Sequence, residues 1–200
     1  MCSWCWGFAP VLEALAAQAQ AAGVPLHMVA GGLRTGSGAA LEPTTQRYIL
    51  EHWQAVAQAT GQPFRFDGAL PEGFVYDTEP ACRALVAARS LDPASVWPLV
   101  KGIQQAFYAE GRDVTQASVL VELAEAAGLP RIEFATAFDS AEQHAATAAD
   151  FTWVQDLGIA GFPTVLAERN GQLALLTNGY QPLSELAPLL ARWLARGAHA

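Results

Sequence analysis

The sequence predicts an α/β fold in which a block of helices interrupts a smaller region of mixed helices and strands. Three observations favour this class. A helix and a short apolar strand open the chain, a block of roughly a hundred residues with helical spacing fills its middle, and a hairpin and a helix close it.

The first elements follow from apolar periodicity. Residues 8–22 carry an apolar face with helical spacing, and Gly23 and Pro25 end the predicted helix. Pro10 is expected in or near the first turn, where a proline is tolerated. Residues 26–30 form a short apolar run that predicts a strand.

Six helical segments, separated by turns rich in Gly, Pro, Asp or Ser, make up the middle of the chain. They span residues 43–60, 78–90, 94–110, 115–127, 131–138 and 140–157. Residues 64–66 are a further candidate for extended structure. The pattern predicts a compact helical block without a repeat or a flexible linker.

A hairpin and an amphipathic helix complete the chain. Residues 164–167 and 173–176 are apolar and flank Asn170-Gly171, the strongest short signal for a hairpin turn. Residues 182–196 repeat leucine at helical spacing, which predicts a helix with one buried face.

The composition is that of a globular chain with a large core. Of 200 residues, 52% are hydrophobic and 15% are charged, which excludes intrinsic disorder. The net charge of −8 and the lack of a basic patch exclude nucleic-acid binding. No apolar run reaches the roughly 18 residues of a membrane helix, and no signal-peptide pattern opens the chain, so we expect a cytoplasmic protein without a membrane partner.

The most informative motif is Cys2-Ser3-Trp4-Cys5, which lies directly ahead of the first helical run. The first sulfur lies where unpaired backbone N–H groups and the positive end of the helix dipole favour an anion, which lowers the pKa of a thiol. The second sulfur follows on the same helical face and can close a disulfide. We expect Cys2 to be the attacking, exposed sulfur and Cys5 the buried, resolving one.

The residues around the two cysteines are expected to affect the stability of the Cys2 thiolate and the oxidising power of the pair. Ser3 is expected to donate a weak hydrogen bond to the Cys2 thiolate, and Trp4 adds bulk and an N–H donor without a titratable charge. No histidine lies in the motif, so the cationic stabilisation of the thiolate that a histidine would supply is missing. This predicts a milder oxidant than a histidine-containing dithiol and leaves the direction of electron flow open. Trp6 is a candidate for an apolar collar around the substrate, with packing beneath the first helix as the alternative.

No metal site and no cofactor are expected. The four histidines are isolated in the sequence, and no second C-x-x-C completes a zinc site. Cys82, the third cysteine, lies in a helical pattern, which favours a small buried hydrophobic residue over a redox role.

With these motifs in order, the chain resembles the thioredoxin superfamily, specifically its DsbA-like branch, in which an α-helical domain is inserted into a thioredoxin-like fold. Three stretches carry the resemblance: Cys-Ser-Trp-Cys-Trp-Gly-Phe at 2–8, Thr-Glu-Pro-Ala-Cys-Arg at 78–83 and Gly-Ile-Ala-Gly-Phe-Pro-Thr at 158–164. The first is similar to the active site of the FrnE-type protein-disulfide isomerases.

The resemblance implies a discontinuous thioredoxin-like domain at residues 1–42 and 150–200, with the helical domain inserted at 43–149. It also implies that Pro163 is a cis-proline and that the Phe162 backbone faces the dithiol, where both residues contact substrate. The strand that precedes the dithiol in this family is missing from the sequence. We therefore expect the natural chain to begin upstream of Met1, because without that strand the sheet exposes two unpaired edges.

The dithiol and the resemblance together imply a thiol–disulfide oxidoreductase. It would exchange the Cys2–Cys5 pair with protein or small-molecule disulfides and with an unidentified redox partner. The alternative is a glutathione-dependent isomerase or transferase of the 2-hydroxychromene-2-carboxylate isomerase or kappa type, families that carry a serine where Cys2 stands. A chaperone-like binding module that uses Trp6 and Phe162 is the third possibility.

Overall fold

The structure is a computed structural model that describes residues 1–36 and 38–197. Ser37 and residues 198–200, His199 among them, lie outside the description. The described residues form eight α-helices, one short 3₁₀ turn and two strands. The elements are α1 (Ser3–Ala21), α2 (Pro43–Thr60), α3 (Glu79–Leu91), the 3₁₀ turn (Pro93–Ser95), α4 (Val96–Tyr108), α5 (Ala117–Ala126), α6 (Arg131–Phe138), α7 (Ala141–Asp156), β1 (Thr164–Arg169), β2 (Gln172–Asn178) and α8 (Leu183–Gly197).

The predicted helices are confirmed through the middle of the chain, and α2 and α6 have the predicted bounds. None of the described helices is long and apolar enough to span a membrane. The domain boundaries assigned from the resemblance stay a prediction.

The first helix begins earlier than predicted, at Ser3, so that the dithiol motif forms its first turn. Pro10 therefore lies inside the helix, and the expectation that it belongs to the first turn is wrong. A proline leaves the carbonyl four residues before it without its helical partner. Here that carbonyl belongs to Trp6, and it accepts a hydrogen bond of 3.0 Å from the Gln62 side-chain amide.

Two hydrophobic clusters hold α1 from opposite sides. Trp6 and Ala9 join the large cluster formed by the helical block, which is centred on aromatic residues such as the 1% exposed Trp53. Phe8 and Leu15 join a second cluster with leucines of α8. Because burial of a large apolar side chain contributes about 2 kcal/mol, both clusters fix the helix that carries the dithiol.

The hairpin prediction is confirmed. Strands β1 and β2 pair antiparallel, with one irregularity in register between Val165 and Leu166. Asn170 (φ 53°) and Gly171 (φ 76°) both adopt the left-handed conformation that a two-residue hairpin turn of this type requires.

The strand predicted at residues 26–30 is wrong, and residues 64–66 are not a strand either. A strand needs a hydrogen-bonded neighbour, and the described part of the chain places none beside residues 26–30. Side chains satisfy this backbone instead. Arg89 donates to the Met28 carbonyl at 2.6 Å, and the Ala30 N–H donates to the Asp150 carboxylate at 2.8 Å. Arg89 and Asp150 also form an ion pair with two contacts of 2.9 Å.

We predict that Asp150→Ala lowers the free energy of unfolding by about 2 kcal/mol, because it leaves the half-buried Arg89 unpaired and the Ala30 N–H without its acceptor. Urea denaturation measures the loss. The matched control, Glu13→Ala, breaks the exposed Lys101–Glu13 pair and is expected to cost less than about 0.5 kcal/mol. Equal losses in the two variants would contradict this role for Asp150.

Candidate active site

The start of α1 gathers hydrogen-bond donors around the Cys2 sulfur. Cys2 is the N-cap residue, with an extended backbone (φ −128°, ψ 121°), and its carbonyl accepts the Trp6 N–H at 3.1 Å. The backbone N–H groups of Cys5 and Trp4 are donors that lower the pKa of the Cys2 thiol. No side chain caps this helix, so these donors remain available to the sulfur.

The two thiols of the motif have opposite pKa shifts. The Cys5 thiol donates a hydrogen bond to the Cys2 sulfur, and this bond, with the backbone N–H groups, lowers the pKa of Cys2 to about 7 although burial opposes it. The same hydrogen bond raises the pKa of Cys5 well above its usual range, and burial adds to the effect. As the pH rises through about 7, the reduced site therefore ionises at Cys2 first, while Cys5 stays a thiol. All three cysteines are free in this structure.

The loop between α7 and β1 lies against the Cys2 sulfur. The Phe162–Pro163 peptide bond is cis, and the Cys2 thiol lies 3.6 Å from the Phe162 carbonyl oxygen, so both features implied by the resemblance are present. The Pro163 carbonyl accepts the Gly179 N–H at 2.7 Å, which ties this loop to the end of β2.

A cleft of about 300 Å³ opens beside Cys2. Ser3, Trp4 and Phe162 line it, together with residues of the loop after residue 30, of α2 and of the segment before α3. The bond predicted from the Ser3 hydroxyl to Cys2 is not formed within the described residues, where the Cys5 thiol and backbone N–H groups are the donors.

Trp6 does not reach the cleft. Its side chain is 8% exposed, stacks on Tyr108 at an interplanar angle of 11° and donates its indole N–H to the Pro63 carbonyl at 2.9 Å. The alternative of core packing therefore describes Trp6, and the substrate collar assigned to it is not supported.

Two aromatic residues of α2 reach the site although no motif indicated them. The Trp4 indole N–H donates to His52 Nε2 at 2.9 Å, and Tyr48 stacks on the His52 ring with 6.0 Å between centroids. His52 is 48 positions from Trp4 in the sequence, so only the packing of α2 on α1 brings them together. The spacing of Tyr48 and His52, one helical turn apart, is the signal that places them on one face.

Two tyrosine hydroxyls and the third cysteine near the dithiol are kept neutral by burial. Burial raises the pKa values of the Tyr76 and Tyr108 hydroxyls well above their usual range, and Tyr76 donates to the Met1 carbonyl at 3.2 Å. Burial also raises the pKa of Cys82, which keeps it a thiol. Among the described residues, no group of three or more His, Cys, Asp or Glu side chains is arranged to hold a metal ion.

Gly31 provides the room that Phe162 needs. A Cβ atom at Gly31 would lie 2.2 Å from Cε1 and 2.3 Å from Cζ of the Phe162 ring, closer than any real contact. The Phe162 ring therefore rests directly on the Gly31 backbone, and the absence of a side chain there sets the position of the loop beside Cys2.

The sequence profile of the DSBA-like thioredoxin domain matches residues 1–191. The chain belongs to this family. It has the DsbA-like thioredoxin fold and is a thiol–disulfide oxidoreductase, and the first strand of that fold is not among the described elements.

Solved structures agree with this assignment. A putative protein disulfide isomerase from Nitrosomonas europaea is 42% identical, with a TM-score of 0.90 over 98% of this chain and 94% of that one. The cytosolic disulfide reductase DsbM from Pseudomonas aeruginosa is 34% identical, with a TM-score of 0.78 over 96% and 94% of the two chains. DsbM is also known in a structure with GSH, at 33% identity and a TM-score of 0.76 over 96% and 95% of the chains. No curated protein sequence matches the chain.

We predict that iodoacetamide alkylates Cys2 of this DSBA-like protein with a rate that rises through about pH 7 and then levels off. The thiolate is the reactive form, so a lowered pKa shifts the rise to lower pH than the roughly 8.5 of an ordinary cysteine. Labelling is quenched at set times, and mass spectrometry measures the label on the Cys2 peptide at each pH. The control Cys2→Ser should show no label on this peptide. Faster labelling of Cys5 would reverse the assignment of the two sulfurs.

We predict that Gly31→Ala slows disulfide exchange about tenfold, because the added methyl group displaces the Phe162 ring and with it the loop beside Cys2. The fold should survive, since the end of a side chain, and not backbone, must move. Exchange rates and thermal melting are compared with Gly38→Ala, where nothing lies within 4 Å of the added Cβ. Equal rates for the two variants would show that the loop position is unimportant.

Proposed function

We propose that this chain reduces disulfides, with Cys2 as the attacking thiolate and Cys5 as the resolving thiol. The observation that carries the proposal is the position of Cys2 on the wall of an open cleft, 3.6 Å from the Phe162 carbonyl oxygen of the cis-proline loop. The pKa of this thiol is lowered to about 7 by its neighbour Cys5. Ser3, Trp4, Phe162 and Pro163 are the proposed substrate contacts.

The proposed reaction proceeds in two exchange steps. The Cys2 thiolate attacks one sulfur of the substrate disulfide, the S–S bond breaks, and one half of the substrate leaves as a thiolate. Cys5 then loses its proton to solvent and attacks the Cys2 sulfur, which releases the other half. Two electrons have passed to the substrate, and the Cys2–Cys5 disulfide remains for a redox partner to reduce.

The pKa of Cys2 supports reduction over oxidation. Strong stabilisation of the thiolate makes a dithiol oxidising, as in DsbA, where the pKa is roughly 3.5, whereas the reducing thioredoxin has a pKa of roughly 7. Cys2, at about 7, matches the second case. His52 does not alter this comparison, because its Nε2 accepts the Trp4 N–H and is therefore not available as a donor to the sulfur.

The comparisons support a reducing compartment and a small thiol as redox partner. The relative DsbM is described as a cytosolic disulfide reductase and has been solved with GSH. We propose a cytosolic location for this chain and glutathione as the thiol that reduces its Cys2–Cys5 disulfide. The proposed substrates are small-molecule disulfides and protein disulfides.

The paired variants Cys2→Ser and Cys5→Ser separate the two roles. We expect Cys2→Ser to abolish insulin reduction, because no thiolate remains to attack. Incubated with glutathione disulfide, Cys5→Ser should still attack through Cys2 but should accumulate a mixed disulfide there. Mass spectrometry detects this product as a glutathione adduct. Cys82→Ser is the control and should keep full turnover, since burial holds Cys82 as a thiol.

Retained insulin reduction in Cys2→Ser would refute the proposal. Saturable glutathione binding by the wild-type protein without any disulfide exchange would favour the glutathione-dependent isomerase alternative instead.

A further inference from the structure

Arg34 is the one permanently charged side chain among the described residues that line the cleft beside Cys2. No aspartate or glutamate belongs to that lining. The chain as a whole has 19 acidic and 11 basic residues, so a cleft with only a cation differs in sign from the rest of the molecule. An isolated cation next to a reactive thiolate indicates a substrate that brings its own negative charge.

The guanidinium of Arg34 has no carboxylate partner within the described residues. Five ion pairs there join an arginine or lysine to an acid, and none includes Arg34. The guanidinium lies over the Tyr76 ring, whose centroid is 5.6 Å from the guanidinium carbon. Tyr76 also lines the cleft, so this contact keeps the cation beside the cleft that Cys2 lines.

The backbone of Arg34 is fixed although the loop around it is exposed. The buried Thr78 hydroxyl donates a hydrogen bond to the Arg34 carbonyl at 2.9 Å and accepts one from the Arg34 N–H at 3.0 Å. The Thr78 N–H also donates to the same carbonyl, at 2.8 Å. Three hydrogen bonds to one residue at the start of α3 therefore position Arg34, while its neighbours Leu33 and Thr35 are exposed.

We propose that Arg34 binds a carboxylate of the anionic, peptide-like thiol or disulfide that reacts at Cys2, such as glutathione. Glutathione forms the same mixed disulfide with Cys2 whether it enters as the reducing thiol or, in the reverse direction, as glutathione disulfide. This inference rests on the proposed disulfide exchange and names the substrate class for it. A guanidinium presents a planar pair of donors that matches a carboxylate, and it stays charged at every working pH. The exchange itself is unchanged: Cys2 joins one substrate sulfur, and the other leaves as a thiolate.

The test compares Arg34→Gln with the wild-type protein on three disulfides of different charge. Glutathione disulfide is anionic, 2-hydroxyethyl disulfide is neutral and cystamine is cationic. We expect Arg34→Gln to lower kcat/KM for glutathione disulfide about tenfold, chiefly through KM, as loss of one charge-assisted contact predicts. The kcat/KM of Arg34→Gln for 2-hydroxyethyl disulfide should stay within about twofold of the wild-type value, and its kcat/KM for cystamine should not fall.

Two further variants make the result specific. Arg34→Lys keeps the charge but loses the planar pair of donors, so it should recover only part of the activity on glutathione disulfide. Arg47→Gln removes the same charge from an exposed position of α2 outside the cleft lining and should leave all three substrates unaffected.

Two outcomes would overturn the inference about Arg34, and a third would refute the proposed function. An equal loss on all three disulfides would overturn the inference, because Arg34 would then support the structure of the site and not its selectivity. An unchanged kcat/KM for glutathione disulfide would also overturn it. Failure of the wild-type protein to react with any of the three would instead refute the proposed function, so the two failures are distinguishable.

Discussion

The hydrogen bond between the two cysteines controls the chemistry of this protein. A single proton, shared from Cys5 to Cys2, lowers one thiol pKa and raises the other, so the reduced pair presents one nucleophile and holds one reserve. That bond forms only if both sulfurs lie on the first turn of a helix whose start is fixed. The rest of the molecule can be understood as the support for that turn.

The support comes from both parts of the fold. Phe8 and Leu15 tie α1 to α8, whereas Trp6 and Ala9 tie it to the helical block. The cleft is likewise shared, since the cis-proline loop forms one wall and α2 contributes another. The cleft beside Cys2 is therefore complete only where both parts of the fold meet.

Local features were predictable from the sequence, and features that depend on distant neighbours were not. The dithiol spacing and the Asn170-Gly171 turn are encoded within a few residues, so they could be read directly. The strand expected at residues 26–30 failed because an apolar pattern does not reveal whether a neighbouring strand exists. His52 and Arg34 carry no motif, and only tertiary packing brings them to the cleft.

The Trp6 carbonyl of α1, which Pro10 deprives of its helical donor, gives a further link between the two parts of the fold. Its acceptor site is filled by an amide from the segment after α2. If Gln62 were lost while Pro10 was kept, the Trp6 carbonyl would need another donor in its place. We conclude that the segment after α2 completes the hydrogen bonding of the helix that carries the dithiol, so the two segments depend on each other.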